Sequence, residues 1–298
     1  MSFTARFKAR FNPVIRGLLL CGGLLLLPQS VWATFVAITE DDPGGSGALV
    51  VRTYTTRTNF VNNNAASTHF VGSNLFGSGV SVGGLAHDGT RFIVLLESDP
   101  GGLGNINLAY FDTFDDLINW NVSGSTFLGL NIWGSGVSAV SLAHDGSQYL
   151  LTLESDPGGL GNLNIARFDT FDDLRMFNVS GSNFLGQNIF GSGVSVAGLT
   201  FDGTEYLRLT ESDPGGLGNV VLARYASYVD LVNSNVSGSN FLGQNPFGTG
   251  VSIRGLAYVD DDEPPPPVAV PAPGAGWLLV SLLALLSADR LRGRWPNR

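Results

Sequence analysis

The sequence predicts an all-β protein, a four-bladed β-propeller, and three observations carry that expectation. A block of text recurs without insertion or deletion: Glu-Ser-Asp-Pro-Gly-Gly-Leu-Gly-Asn begins at Glu97, Glu154 and Glu211, and the related stretch at Glu40 keeps the same step of 57 residues. Each repeat holds four short apolar or alternating runs parted by glycine-rich turns, which read as four strands. The strand count is also offset, because the body opens on the second strand of a repeat near Phe35 and closes on a first strand ending near Tyr258. A closed ring needs that offset, since the last strand then completes the blade that the first one began. An open stack of sheets or a solenoid is the alternative.

Residues 1–33 read as a secretory signal peptide, a first apolar helix flanking the body. Arg6, Lys8, Arg10 and Arg16 form the basic region, Leu18 to Leu27 the apolar core, and Val31-Trp32-Ala33 a small-residue site with cleavage after Ala33. Leu20 is too bulky for the position before a lipidated cysteine, and the apolar core runs on past Cys21. Cys21 is the chain's one cysteine, so the exported body has no thiol chemistry and no disulfide.

The propeller body covers residues 34–260. In the third copy the first strand is Gly136 to His144 and the second Gln148 to Leu153; in the second copy the third strand is Asn105 to Phe111 and the outer one Ser125 to Leu130. Asp88-Gly89, Asp145-Gly146 and Asp202-Gly203 predict two-residue hairpin turns between first and second strands. After the third strand, Asp112 to Leu117 places a capping threonine before acidic residues, the pattern of one short helical turn. Phe127, Phe184 and Phe241 recur in register, as do Trp133, Phe190 and Phe247; both sets are expected to pack between blades, with carbohydrate stacking the competing role.

Charge narrows the partners. Between Thr34 and Glu263 there are 24 acidic residues against eight arginines and no lysine, a formal charge of −16 where the whole chain carries −9. Such a surface repels nucleic acid and tolerates cations, cationic partners or neutral glycans. Loops between second and third strands should share one face with those leading into first strands. That brings Glu97, Asp99, Glu154, Asp156, Glu211 and Asp213, with Glu40 and Asp42, into an oxygen-rich ring suited to Ca²⁺. The loop lacks EF-hand spacing, and aspartate before proline-glycine is also ordinary turn chemistry. The same pair in every blade argues against catalysis, where two carboxyls need different environments. His87 and His144 take a position filled by Phe201 and Tyr258 in other copies, an aromatic packing role, and His69 reads as a solvated loop residue. Asn121, Asn178 and Asn235 match the glycosylation pattern but read as local side-chain turns.

Residues 261–273 form an acidic and proline-rich linker that ends in Val270-Pro271-Ala272-Pro273. Residues 274–298 follow as an apolar helix with a basic tail at Arg290, Arg292 and Arg294. This three-part end resembles the PEP-CTERM sorting signals of Gram-negative bacteria, with Pro-Ala-Pro in place of Pro-Glu-Pro. The resemblance covers the tail alone. It implies a sorting protease of the exosortase type in the inner membrane, transient anchoring there by the apolar helix, and delivery to the cell envelope or extracellular matrix beside exopolysaccharide. The function expected is a non-enzymatic exported scaffold for a polysaccharide or a surface protein, assisted by Ca²⁺. An extracellular glycan hydrolase or lyase using the ring carboxylates is the alternative.

Overall fold

The computed structural model describes residues 34–41, 47–73, 75–77, 79–98, 104–130, 132–157, 161–187, 189–214 and 218–260. The signal segment and the whole tail, with the flanking apolar helices expected there, lie outside the described residues. Among the described residues no helix is long and apolar enough to cross a membrane.

Four antiparallel four-stranded sheets form the ring. The first blade contains β1 (Thr34–Asp41), β2 (Ala48–Tyr54) and β3 (Ser67–Ser73). The second holds β4 (Val80–His87), β5 (Phe92–Ser98), β6 (Asn105–Phe111) and β7 (Gly124–Leu130). The third holds β8 (Val137–His144), β9 (Tyr149–Ser155), β10 (Asn162–Phe168) and β11 (Gly181–Gln187). The fourth holds β12 (Val194–Phe201), β13 (Tyr206–Ser212), β14 (Asn219–Tyr225) and β15 (Gly238–Gln244). Finally β16 (Val251–Val259) returns to the first blade and pairs with β1 from Thr34↔Val259 to Asp41↔Val251, so the two ends of the body close the ring.

The inner strands β4, β8, β12 and β16 neighbour one another around the axis. Packing there is tight enough to dictate glycine. A Cβ on Gly84 would stand 2.5 Å from the Leu142 backbone nitrogen, and one on Gly255 would stand 2.6 Å from the Leu85 Cβ. Each inner strand carries a bulge, seen as register slips at Val82/Gly84, Ala139/Ser141 and Val196/Gly198, and at Ile38/Thr39 opposite β16. Four apolar clusters fill the gaps between adjacent blades, so the core is distributed around the ring rather than gathered inside any one sheet.

One-turn helices α1 (Arg57–Val61), α2 (Phe114–Ile118), α3 (Phe171–Arg175) and α4 (Tyr228–Val232) follow the third strands. Each is capped as the sequence predicts; the Thr113 hydroxyl, for example, accepts the Asp116 N–H at 3.0 Å. The hairpin turns differ from expectation. Only the glycines have positive φ, and the Asp88 carboxylate accepts the N–H groups of Thr90 and Arg91, making a four-residue turn braced by a side chain. A type I′ turn centred on Asp88-Gly89 needs positive φ at both residues, and Asp88 does not adopt it.

One packing slot shows how the blades differ. Trp120 lies 4.8 Å from Phe76 and 4.9 Å from Phe111, and Phe177 lies between Trp133 and Phe168 in the third blade. In the fourth blade the equivalent residue is the small Ser234. The buried Arg208 guanidinium takes the place of the ring, 4.4 Å over Phe190 and 4.7 Å over Tyr225. Its partners are aromatic faces and the Tyr225 hydroxyl.

Candidate functional site

The four anchor glutamates lie on second strands that are covered on both faces, so extending the strand carries the carboxylate inward. Glu40, Glu97, Glu154 and Glu211 are only 3–5% exposed. Each reaches across to the inner strand of the next blade. Glu97 accepts the Ala139 N–H at 3.0 Å, Glu154 the Val196 N–H at 3.2 Å and Glu40 the Val82 N–H at 3.4 Å; Glu211 receives the Ile253 N–H. These donors sit beside the bulges, where ladder pairing is interrupted. Burial pushes the carboxyls of Glu40, Glu154 and Glu211 up to about 7. Arg254, at the bulge position filled by Gly83, Val140 and Ala197 in other blades, opposes the rise at Glu40 and Glu211.

The expected open ring of carboxylates is therefore divided. Glutamates latch one blade to the next, while Asp156 and Asp213 remain exposed in the loops with φ of 55° and 54°. The N–H of Asp156 bonds the Gly136 carbonyl and that of Asp213 the Gly193 carbonyl, both at 2.7 Å. Among the described residues no group of three or more His, Cys, Asp or Glu is arranged to hold a metal ion. Asp99, Ala33, Val270, Pro271, Ala272 and Pro273 lie outside the described residues. Beside Glu40 and Glu154 are niches with room for about one water, floored by Leu49 and Leu163 respectively. Neither is large enough for a sugar.

A second set of latches closes the opposite ends of two blade interfaces. Tyr149 donates to Asp88 at 2.7 Å and Tyr206 donates to Asp145 at 2.8 Å. Burial raises these aspartates, but hydrogen bonds from Thr90 and Tyr149, and from Ser147 and Tyr206, bring both below the usual carboxylate range. His87 and His144 pack in tilted contact with Phe92 and Tyr149, ring centroids 4.6 Å apart, as Phe201 does with Tyr206 at 4.8 Å, in agreement with their aromatic role. His69 is not a solvated loop residue. It sits on β3 with its ring 5.6 Å from Phe114, because alternation along the outer strand turns this position toward the helix of the next blade. The Asn121 and Asn178 amides bond Asp116 and Asp173, so they brace their own turns.

The aromatic sets separate cleanly. Trp133 and Phe247 join the clusters between blades, as expected. Phe127, Phe184 and Phe241 do not: they are 57%, 64% and 62% exposed, and Phe70 at 65% completes the set. They stand on the outer strands β7, β11, β15 and β3, whose opposite faces meet the helix of the next blade; Tyr228 on α4, for instance, donates to Asn183 on β11. Inter-blade packing is thus overturned for this set, since an outermost strand has a neighbour on one face alone. Four equivalent phenylalanine rings project from the rim of the propeller.

Across the ladder from them lie residues that sequence reasoning missed. Asn107 is opposite Phe127 and Asn164 opposite Phe184, whereas Val50 and Val221 face Phe70 and Phe241. The signal was present in the sequence as an asparagine flanked by apolar residues, Ile106 and Leu108 in β6 and Leu163 and Ile165 in β10.

No family model matches the chain, and no curated protein matches it. Among solved structures the chain is similar to one described as the crystal structure of a nidogen/laminin complex. Identity is 11%, coverage 76% of this chain and 98% of that chain, and the TM-score 0.34.

Proposed function

We propose that the protein is a non-enzymatic, exported envelope or matrix scaffold that binds a polysaccharide through the rim of its propeller. The observation that carries this reading is the recurrence of an exposed phenylalanine on all four outer strands. A folded body rarely repeats a large exposed ring at four equivalent positions without a partner for it, and aromatic rings are suited to the apolar faces of sugars. Multivalent weak contact suits a polymer of repeating units, since each further rim site engages at high effective concentration. The signal segment ending at Ala33 and the PEP-CTERM-like tail support export, inner-membrane sorting and release at the envelope. The burial of the four glutamates under the next blade favours binding over hydrolysis or lyase chemistry.

Affinity electrophoresis tests the reading. The purified chain is expected to be retarded in a gel containing a neutral polysaccharide. The Phe70→Ala, Phe127→Ala, Phe184→Ala, Phe241→Ala variant should migrate as in the empty gel. Equal retardation of both proteins would remove the rim from the account.

A further inference from the structure

Resting on the rim reading, we infer that recognition is concentrated in two of the four positions, Phe127 with Asn107 and Phe184 with Asn164, and that their ligand is a neutral polysaccharide of pyranose units. In the second and third blades the row running outward across the sheet is Leu96, Asn107, Phe127 and Leu153, Asn164, Phe184. In the first and fourth it is Thr39, Val50, Phe70 and Thr210, Val221, Phe241. The two kinds of row share the ring and differ in what stands beside it.

Asparagine is disfavoured within strands, and a half-buried amide ordinarily secures a partner. The side chains of Asn107 and Asn164 make no hydrogen bond among the described residues, although both are only partly open to solvent. Each amide therefore keeps a donor and an acceptor available next to a stacking surface. Directly opposed residues of an antiparallel pair hold their Cβ atoms about 5 Å apart, a spacing on the scale of one sugar ring. The ring receives the C–H face of a pyranose, and the amide receives a pair of hydroxyls at its edge. Valine at the other two positions can supply contact but no hydroxyl recognition.

Neutrality follows from the surroundings. No residue of these rows is charged, and the outer strands Gly124–Leu130 and Gly181–Gln187 carry no charged side chain. The acidic body around them repels a polyanion. A polyuronate would meet that repulsion with no cation in the row to offset it.

The test compares the purified full-length chain with two paired variants, Phe127→Ala/Phe184→Ala and Phe70→Ala/Phe241→Ala, and with Asn107→Ala/Asn164→Ala. Each is run in gels containing a soluble neutral β-glucan, a soluble mannan or a polyuronate, with thermal midpoints and oligomeric state as fold controls. Affinity for one of the neutral polymers should fall about tenfold or more in the Phe127/Phe184 and Asn107/Asn164 variants, and about twofold or less in the Phe70/Phe241 variant. Equal losses from both phenylalanine pairs would leave the rim reading standing and overturn its concentration in two blades. Retardation by the polyuronate would overturn neutrality. If the wild-type chain binds no polymer, or the phenylalanine variants change only its oligomeric state, the rim reading itself fails and this inference with it.

Discussion

Glu154 accepts the backbone N–H of Val196 across the gap between the third and fourth blades at 3.2 Å. Its carboxyl, buried and pushed up to about 7, is held in an environment that penalises its charge. Glu40 and Glu211 are raised in the same way. A carboxyl that binds its proton more tightly when folded contributes stability that is complete below its unfolded value near 4.5. That stability is lost as pH rises through 7. The latching aspartates Asp88 and Asp145 act oppositely: their contribution is present above their unfolded value of 3.8 and disappears on further acidification. Thermal melts from pH 3 to 9 should therefore show a maximum at about 4 to 5.5 and a decline through neutrality. A flat profile between pH 5 and 8 would contradict the burial of these glutamates.

Glu154→Gln keeps an oxygen for Val196 and removes the charge. A shift of this size corresponds to about 3 kcal/mol per carboxyl, so the variant should melt several degrees higher than wild type at pH 8 and close to it at pH 4.5. Glu154→Leu removes the acceptor as well and should cost about 1–3 kcal/mol at pH 4.5, through the stranded N–H. Were Gln and Leu to behave alike at that pH, the bond to Val196 would not be a latch.

The Arg208 slot offers a transplant. The third blade uses Leu151 with Phe177 where the fourth uses Arg208 with Ser234, and Phe177 already tolerates the positive φ, 53°, that Ser234 shares at 55°. Arg208→Leu alone should destabilise by about 2–4 kcal/mol because it empties the space between Phe190 and Tyr225. Ser234→Phe alone should also destabilise, since ring and guanidinium compete for one volume. Together they should recover at least half of the loss, a coupling of at least about 1 kcal/mol in a double-mutant cycle by chemical denaturation. Additive losses would show that the two residues do not share the slot.

At the axis, Gly84→Ala places a methyl 2.5 Å from the Leu142 nitrogen, and backbone cannot yield as a side-chain tip can. A loss of about 1–3 kcal/mol is expected, although serine is accommodated at the equivalent Ser141 in the third blade, where it is fully buried. A neutral result by urea denaturation would mean that the inner strands are less closely packed than described.

Much of this was legible because the repeat makes each copy a check on the others. The third strand Asn105–Phe111 follows from alternation, the helical turn from its threonine cap and acids, and ring closure from the offset between Phe35 and Tyr258. The inward direction of the glutamates is not legible in the loop motif alone, because it is set by the strand before the loop. The run Phe-Ile-Val-Leu-Leu reaches Glu97 directly, and a strand covered on both faces leaves its last carboxylate no solvent side. The exposure of Phe127 is hidden for the converse reason. Register shows which residues recur but not that the fourth strand of a blade lacks a neighbour on one face. The open amides of Asn107 and Asn164 become visible only once the ladder sets them against the exposed rings.

The most direct measurement is covalent footprinting of the chain with and without the neutral polysaccharide that retards it, read peptide by peptide. Protection confined to the outer strands, strongest at Gly124–Leu130 and Gly181–Gln187, is the result this account predicts. Protection of the loops around Asp156 and Asp213, with Phe127 and Phe184 labelled as in the free protein, would place the ligand on the acidic face and contradict it.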